Sequence, residues 1–202
     1  MQPTTIAYPA TTLAVLHTCD AVVVGGSFGA VAAAVELARA GHTVTLVEPR
    51  TYLGWEITAT LRPWIQTTES APLPEHIAST LRAAGKELRP GYYALNLDAL
   101  KLHLEDTLLV AGVKILYASL VVGVQAQDNS LTGVVIGNKA GRQVIRCRLL
   151  IDTSETALLA RLTRTPFEAR ANGQELFRRT LEFDNVAPGL DYNQPLTIGG
   201  QQ

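Results

Sequence analysis

The chain has 202 residues, 17 Lys+Arg against 18 Asp+Glu and a formal net charge of -1, with 17% of residues charged and 47% hydrophobic. That length holds one full domain, or one domain and part of a second; the apolar content excludes a disordered chain, and the balanced charge excludes a nucleic-acid binder, which needs a basic surplus against phosphates. The charged fraction falls below the roughly 25% usual in soluble domains, which points to surface hidden against a partner.

Residues 1–18 read as a loose leader. Between Thr4 and Val35 the one charged side chain is Asp20, and the first Lys or Arg is Arg39, so the positive segment that opens a secretory signal is missing. The apolar run 21–35 is too short for a membrane span and is interrupted by glycine-containing turns. The expectation is a soluble, cytoplasmic protein. Two cysteines, Cys19 and Cys147, lie far apart without a paired His or a Cys-x-x-Cys spacing. They predict buried thiols, with neither a disulfide framework nor a metal site.

Ala21-Val22-Val23-Val24 is apolar at every position and stops at Gly25-Gly26. Such a run suits a parallel strand covered on both faces. Residues 29–40 are rich in Ala, Leu, Glu and Arg, which favour helix, and Gly41 suits the C-terminal cap. Residues 43–47 form a second buried strand that ends at Glu48-Pro49. Together these predict a right-handed βαβ unit. Residues 49–75 read as irregular, 75–87 as a short helix, and Gly91-Tyr92-Tyr93 as a break. Residues 97–111 read as a strong helix, with Leu97, Leu100, Leu104 and Leu108 on one face. Strands at 113–117, 120–127, 131–137 and 143–151 follow; the turns at Asp128-Asn129 and Lys139-Ala140-Gly141 make the last three an antiparallel meander. A short helix at 156–162 comes next, and a strand at 175–185 is weakly indicated. The tail from Pro188 is rich in Gly, Pro and Gln.

The chemistry concentrates at the first strand-to-helix turn, Gly25-Gly26-Ser27-Phe28-Gly29-Ala30. A turn of small residues lets backbone approach a pyrophosphate, whose charge then meets the N–H groups of a helix N-terminus. Ser27 and Ala30 stand where a G-x-G-x-x-G turn has its second and third glycines. Glu48 closes the second strand 23 residues after Gly25, where a carboxylate accepts from a ribose diol. A Gly-rich turn alone is weak; strand, turn, helix, strand and terminal acid in register are stronger. The competing reading is a packing turn that binds no nucleotide. His17, His42, His76 and His103 do not cluster in sequence, and no nucleophile elbow or metal motif is present.

After Glu48 the chain runs Pro49-Arg50-Thr51-Tyr52-Leu53-Gly54-Trp55, then Thr60-Leu61-Arg62-Pro63-Trp64. These segments resemble the FAD-dependent oxidoreductases of the glutathione-reductase type, and within them a bacterial branch with "EPRxYLG" followed by "TLRxW". Further on, Ala111-Gly112-Val113, the meander and Ile151-Asp152-Thr153-Ser154-Glu155 are similar to the family's order of elements. The resemblance covers about residues 19–165. It implies an α/β, Rossmann-like FAD/NAD(P)-binding domain with a parallel sheet and an antiparallel β-meander, plus the start of a substrate domain. It implies FAD as cofactor, held by Gly25, Gly26, Ser27, Phe28, Gly29, Ala30, Glu48, Pro49, Arg50, Gly54, Trp55, Val121 and Thr153. Val121 matches by position the residue whose backbone touches the adenine. Departures are Ser27 and Ala30 for glycines, Trp55 for a second glycine near the flavin, and Ser154-Glu155 for Thr-Gly. Trp55 either shields the isoalloxazine or crowds it. Glu56, Arg62 and Trp64 either touch substrate or pack locally.

The domain expectation is therefore a leader at 1–18, an FAD-binding domain at 19–65 and 97–165, an insertion at 66–96, and the start of a substrate- or partner-contacting region at 166–202. Relatives of this kind are longer, so the expectation is either a fragment or one subunit, with a second chain supplying the missing flavin-binding and substrate region. The implied activity is hydride transfer from a small-molecule substrate, an alcohol, sugar or amine, to FAD. The alternatives are a non-catalytic FAD- or ADP-binding structural subunit and an NAD-binding module. The catalytic residues are not identifiable from the sequence.

Overall fold

The computed structural model describes residues 12–60, 62–67, 72–128 and 130–168. In chain order the elements are β1 (Ala14–Thr18), β2 (Ala21–Val24), α1 (Phe28–Arg39), β3 (Val44–Val47), α2 (Trp55–Thr58), β4 (Trp64–Gln66), α3 (Glu75–Ala84), β5 (Gly85–Arg89), β6 (Tyr92–Leu95), α4 (Leu97–Val110), β7 (Lys114–Leu116), β8 (Leu120–Gln127), β9 (Ser130–Asn138), β10 (Gly141–Arg146), β11 (Leu149–Asp152) and α5 (Leu158–Leu162).

Four strands make a parallel sheet in the order β11-β2-β3-β7. β2 and β3 are buried at all four positions each, as strands covered on both faces must be. Side chains alternate across a strand, so β2 feeds two cores. Val23 joins Val31, Val35, Leu46, Leu81, Leu100, Leu104 and Leu108 in the core beneath α1, α3 and α4. Val22 and Val24 join Val121, Val134, Ile136, Ile145, Cys19 and Cys147 under the meander. The fold is thus α/β and Rossmann-like, a parallel sheet between helices and a meander.

α4 forms because Leu100, Leu104 and Leu108 share one fully buried stripe, and because Asn96 caps its start, accepting at Oδ1 from the N–H groups of Asp98 and Ala99 at 3.0 Å. Leu104 also lies under the loop that carries the site, since a Cβ on Gly54 would stand 2.7 Å from its Cδ1. Leu104→Ala is therefore expected to cost about 3 kcal/mol of stability, within the 2–5 kcal/mol of buried leucine truncations, read as a lower midpoint in urea.

Three readings of the sequence are corrected. Residues 14–18 are not loose leader: β1 pairs in parallel with β10. Its side chains stay largely exposed, so the pairing is a matter of backbone hydrogen bonds and leaves no apolar periodicity. The single strand expected at 143–151 is two. β10 ends the meander, and β11 joins the parallel sheet beside β2. Arg148 and Leu149 turn their N–H groups to the Asp20 carbonyl between the two. The helix expected at 75–87 stops at Ala84, and the irregular and broken stretches hold a three-stranded antiparallel sheet, β4-β6-β5. Lys86 and Glu87 are good helix formers, but pairing with Ala94 and Tyr93 overrides that weak preference.

Cys19 and Cys147 are free and buried. Burial and its neighbour Cys19 push the Cys147 thiol up to about 11, so it packs as a small apolar group. No described helix is long and apolar enough to cross a membrane. The strand expected at 175–185 and the rest of the tail from 169 lie outside the described residues.

Candidate functional site

The carboxyl ends of β2, β3 and β11 open into a cleft of about 390 Å³. In open α/β sheets this edge is where ligands bind. Gly25, Glu48, Pro49, Arg50, Trp55 and Val121 all line it. Sequence reasoning named each of these six as a cofactor contact, and the fold brings them together. The lining also includes Ser119, Leu120, Ser154, Glu155, Thr156 and Leu158, which sequence reasoning did not place there. For Glu155 a signal existed, an acid just past a strand end. For Ser119 there was none, because only the return of β7 into β8 brings it to Glu48.

The turn after β2 is built by close approach. The Gly25 N–H donates to the Val47 carbonyl at 2.9 Å, and Gly25 has φ +108. A Cβ there would stand 2.9 Å from the Thr153 carbonyl carbon and oxygen, and one on Gly26 would stand 2.8 Å from Glu48 Oε2. Thr153 closes the turn from the β11 side, donating its N–H and hydroxyl to the Val24 carbonyl at 2.9 and 2.8 Å. Ser27 is the N-cap of α1, and its Oγ accepts from the Ala30 N–H at 3.0 Å. Phe28 and Gly29 form the first turn of that helix. Gly54 belongs to the loop packed on this turn and donates to the Gly26 carbonyl at 2.7 Å.

Glu48 is 1% exposed. Its Oε1 accepts from the Arg50 N–H at 2.8 Å and from the Arg50 guanidinium at 3.2 Å, while its Oε2 is buried without a hydrogen-bond partner. Ser119 donates its N–H to the Glu48 carbonyl at 3.2 Å. Arg50 also pairs with Glu155 across the cleft, and its Cζ lies 5.5 Å from the Trp55 ring centre. Asp152 fixes the loop that carries Glu155, accepting from Ser154 and from the Leu159 N–H.

Glu56 reaches back to α1, where its Oε1 accepts from the Phe28 N–H at 2.8 Å. Its Oε2 is buried without a partner, and burial holds its carboxyl above the usual carboxylate range. Arg62 stacks on Trp64 at 3.9 Å, and Trp64 stacks on Tyr92, so these three pack locally. The histidines stay apart from the cleft. His17 bonds Thr45, and His42 sits in the α1–β3 turn. His76 and His103 face a second cleft between α1, α3 and α4, which shares no lining residue with the first.

Residues 20–194 match the sequence model of the FAD dependent oxidoreductases. The chain belongs to that family. The family's cofactor is FAD. Among solved structures the chain is similar to THI4 of Thermovibrio ammonificans (TM-score 0.58, 20% identity), covering 73% of this chain and 62% of that one. It is also similar to a geranylgeranyl bacteriochlorophyll reductase-like protein of Thermoplasma acidophilum (TM-score 0.56, 19% identity; 73% and 42% covered). A third is the anhydrotetracycline hydroxylase OxyS of Streptomyces rimosus (TM-score 0.60, 12% identity; 76% and 35% covered). At such identities the likeness speaks for the fold, and the chain spans less than two thirds of each of these proteins. No curated protein matches the sequence.

The site suits the family's cofactor on two counts. A buried carboxylate oxygen without a partner, Glu48 Oε2, stands at the strand end. Beside it the turn packs closely, an added Cβ at Gly25 meeting Thr153 and one at Gly26 meeting Glu48, and leads straight into the N-terminus of α1. A ribose hydroxyl suits the first and a pyrophosphate the second.

Proposed function

We propose that this chain is the FAD-binding portion of a flavin-dependent oxidoreductase of the glutathione-reductase type, working in the cytoplasm on a small-molecule substrate. When bound, FAD would supply the redox chemistry, the uptake of a hydride from an alcohol, sugar or amine. The residues of this chain bind and orient. The observation that carries the reading is Glu48, an acid at the end of β3 with a free buried oxygen, facing a cleft at the carboxyl edge of a parallel sheet. In this reading Glu48 accepts from the ribose diol, while Gly25, Gly26 and the first turn of α1 at Phe28 and Gly29 receive the pyrophosphate, with Ala30 packed behind them. Pro49, Arg50 and Val121 wall the adenosine side. Thr153 and Ser27 hold the turn in shape, and Gly54 carries the loop that puts Trp55 beside the cleft.

The rest of the flavin site and the substrate region come from further polypeptide, a continuation of this chain or a second chain. The support is apolar surface: Leu120 and Val122, which share one face of β8, are 55% and 47% exposed. Neighbouring exposed apolar side chains suit a covered face. Either would cover it and complete the site.

The test is a visible spectrum of the full chain, purified alone and purified with the product of the neighbouring reading frame. A flavin spectrum, stronger in the co-purified sample, is the expected result. A colourless complex that binds NAD would replace this reading with a nicotinamide-binding module.

A further inference from the structure

We propose that Glu56 is a resident counter-anion of the dinucleotide site: its carboxylate holds the anion place at the N-terminus of α1, and an incoming pyrophosphate must displace it. The inference rests on reading the cleft as the FAD site. The first N–H groups of a helix lack partners within the helix and carry the positive end of its dipole. In α1 the Ala30 N–H is taken by the capping Ser27 hydroxyl, which belongs to the fold of the turn itself. The Phe28 N–H is taken by Glu56, a side chain 28 residues away in another loop. That donor is one a bound phosphate would need.

The contact is a poor resting place for a carboxylate. The carboxylate is steadied by its own backbone N–H and by that of Phe28, but Oε2 is buried without a hydrogen-bond partner, so desolvation is only partly offset. The charges around it add to the cost. Glu48 faces it from the end of β3 and Glu155 from the β11–α5 loop, and the arginine between those two is Arg50. α1 presents Phe28, Gly29 and Ala30, none of them charged. α4, packed beneath the loop, offers Leu104 against Gly54 and Lys101 over Tyr52. Three carboxylates to one arginine is an unfriendly setting for a pyrophosphate. The ionised Glu56 is the one of the three that occupies a backbone donor of α1.

Two consequences follow. FAD binding weakens as pH rises, because a protonated Glu56 neither repels the pyrophosphate nor holds the Phe28 N–H firmly. The sign is fixed by linkage: the complex favours the protonated carboxyl, so affinity is highest below the pKa of the free chain and falls above it. Removing the charge also tightens binding. Glu56→Gln keeps the shape and an acceptor oxygen, and Glu56→Ala clears the place altogether.

The experiment is FAD binding to the full chain by quenching of flavin fluorescence from the ordinary carboxylate range, about pH 4.5, up to about 8.5. The parent is compared with Glu56→Gln, Glu56→Ala and Glu48→Ala, with thermal melts of the cofactor-free proteins to confirm folding. Expected is an affinity about tenfold higher for Glu56→Gln than for the parent at the alkaline end. The gap should shrink towards the acid end, and Glu56→Ala should follow the same trend. Parent-like or weaker binding in both Glu56 variants, with an unchanged pH profile and a still-weakened Glu48→Ala, would overturn the displacement and leave the FAD site standing. Failure of all four proteins to bind FAD at any pH, both alone and together with the product of the neighbouring reading frame, would overturn the site reading and this inference with it.

Discussion

Glu48→Ala is expected to lower FAD affinity by about 10–100-fold, the range for losing a hydrogen bond to a charged partner or two such bonds in a buried setting. Glu48 combines three properties that no other described residue of the cleft shares. It ends a strand of the parallel sheet, it is 1% exposed, and one of its oxygens is buried without a partner. Such an oxygen costs folding energy and is best explained by a ligand that completes it. The other oxygen already serves Arg50, so the variant also leaves Arg50 paired with Glu155 alone. Glu48→Gln separates the two effects. It keeps the shape and an acceptor, and should lose less than alanine does. Titration of the cofactor-free proteins with FAD, and with ADP as a probe of the adenosine half, measures both. Equal losses for FAD and ADP place Glu48 on the adenosine side. Unchanged affinity for either ligand removes the ribose role from Glu48.

Gly25→Ala should be the most damaging single substitution in the turn. Gly25 has φ +108, a conformation that L side chains rarely adopt. The added Cβ would meet the Thr153 carbonyl at 2.9 Å, and that contact is backbone, which cannot rotate away. Strain of this kind costs about 1–3 kcal/mol, and forcing β2 and β11 apart adds a similar amount. For a chain of this size the sum lowers Tm by on the order of 10 °C. Because Thr153 also bonds the Val24 carbonyl, the shift opens the turn, and flavin retention should fall with stability. A variant that melts within about 2 °C of the parent and keeps its FAD would show that the turn tolerates a side chain.

What was readable in the chain was local. The strand of four apolar residues, the glycine turn, the Ala-rich helix and the second strand follow one another within about thirty residues, and each carries its own propensity or periodicity. Glu48 stands at a fixed distance along that unit. The α4 stripe and the first two meander strands were legible for the same reason. What escaped was non-local. β1 was invisible because it contributes backbone more than burial. The step from β10 to β11 was invisible because both pieces are apolar and only their partners differ. The sheet β4-β6-β5 hides behind residues that would as readily be helix or loop.

The site divides in the same way. Its glycines and its acid are a matter of sequence, since a tight turn needs residues without a Cβ and a ribose needs a carboxylate, and the chain puts both in a fixed order. The tertiary structure alone decided that Ser119 would hold the Glu48 backbone, that Glu155 would meet Arg50 from 105 residues away, and that Glu56 would sit on the N-terminus of α1. Those contacts depend on loops from separate crossovers converging at one edge of a parallel sheet. No local pattern records such convergence, because each loop is free to be of almost any composition until the sheet brings them together.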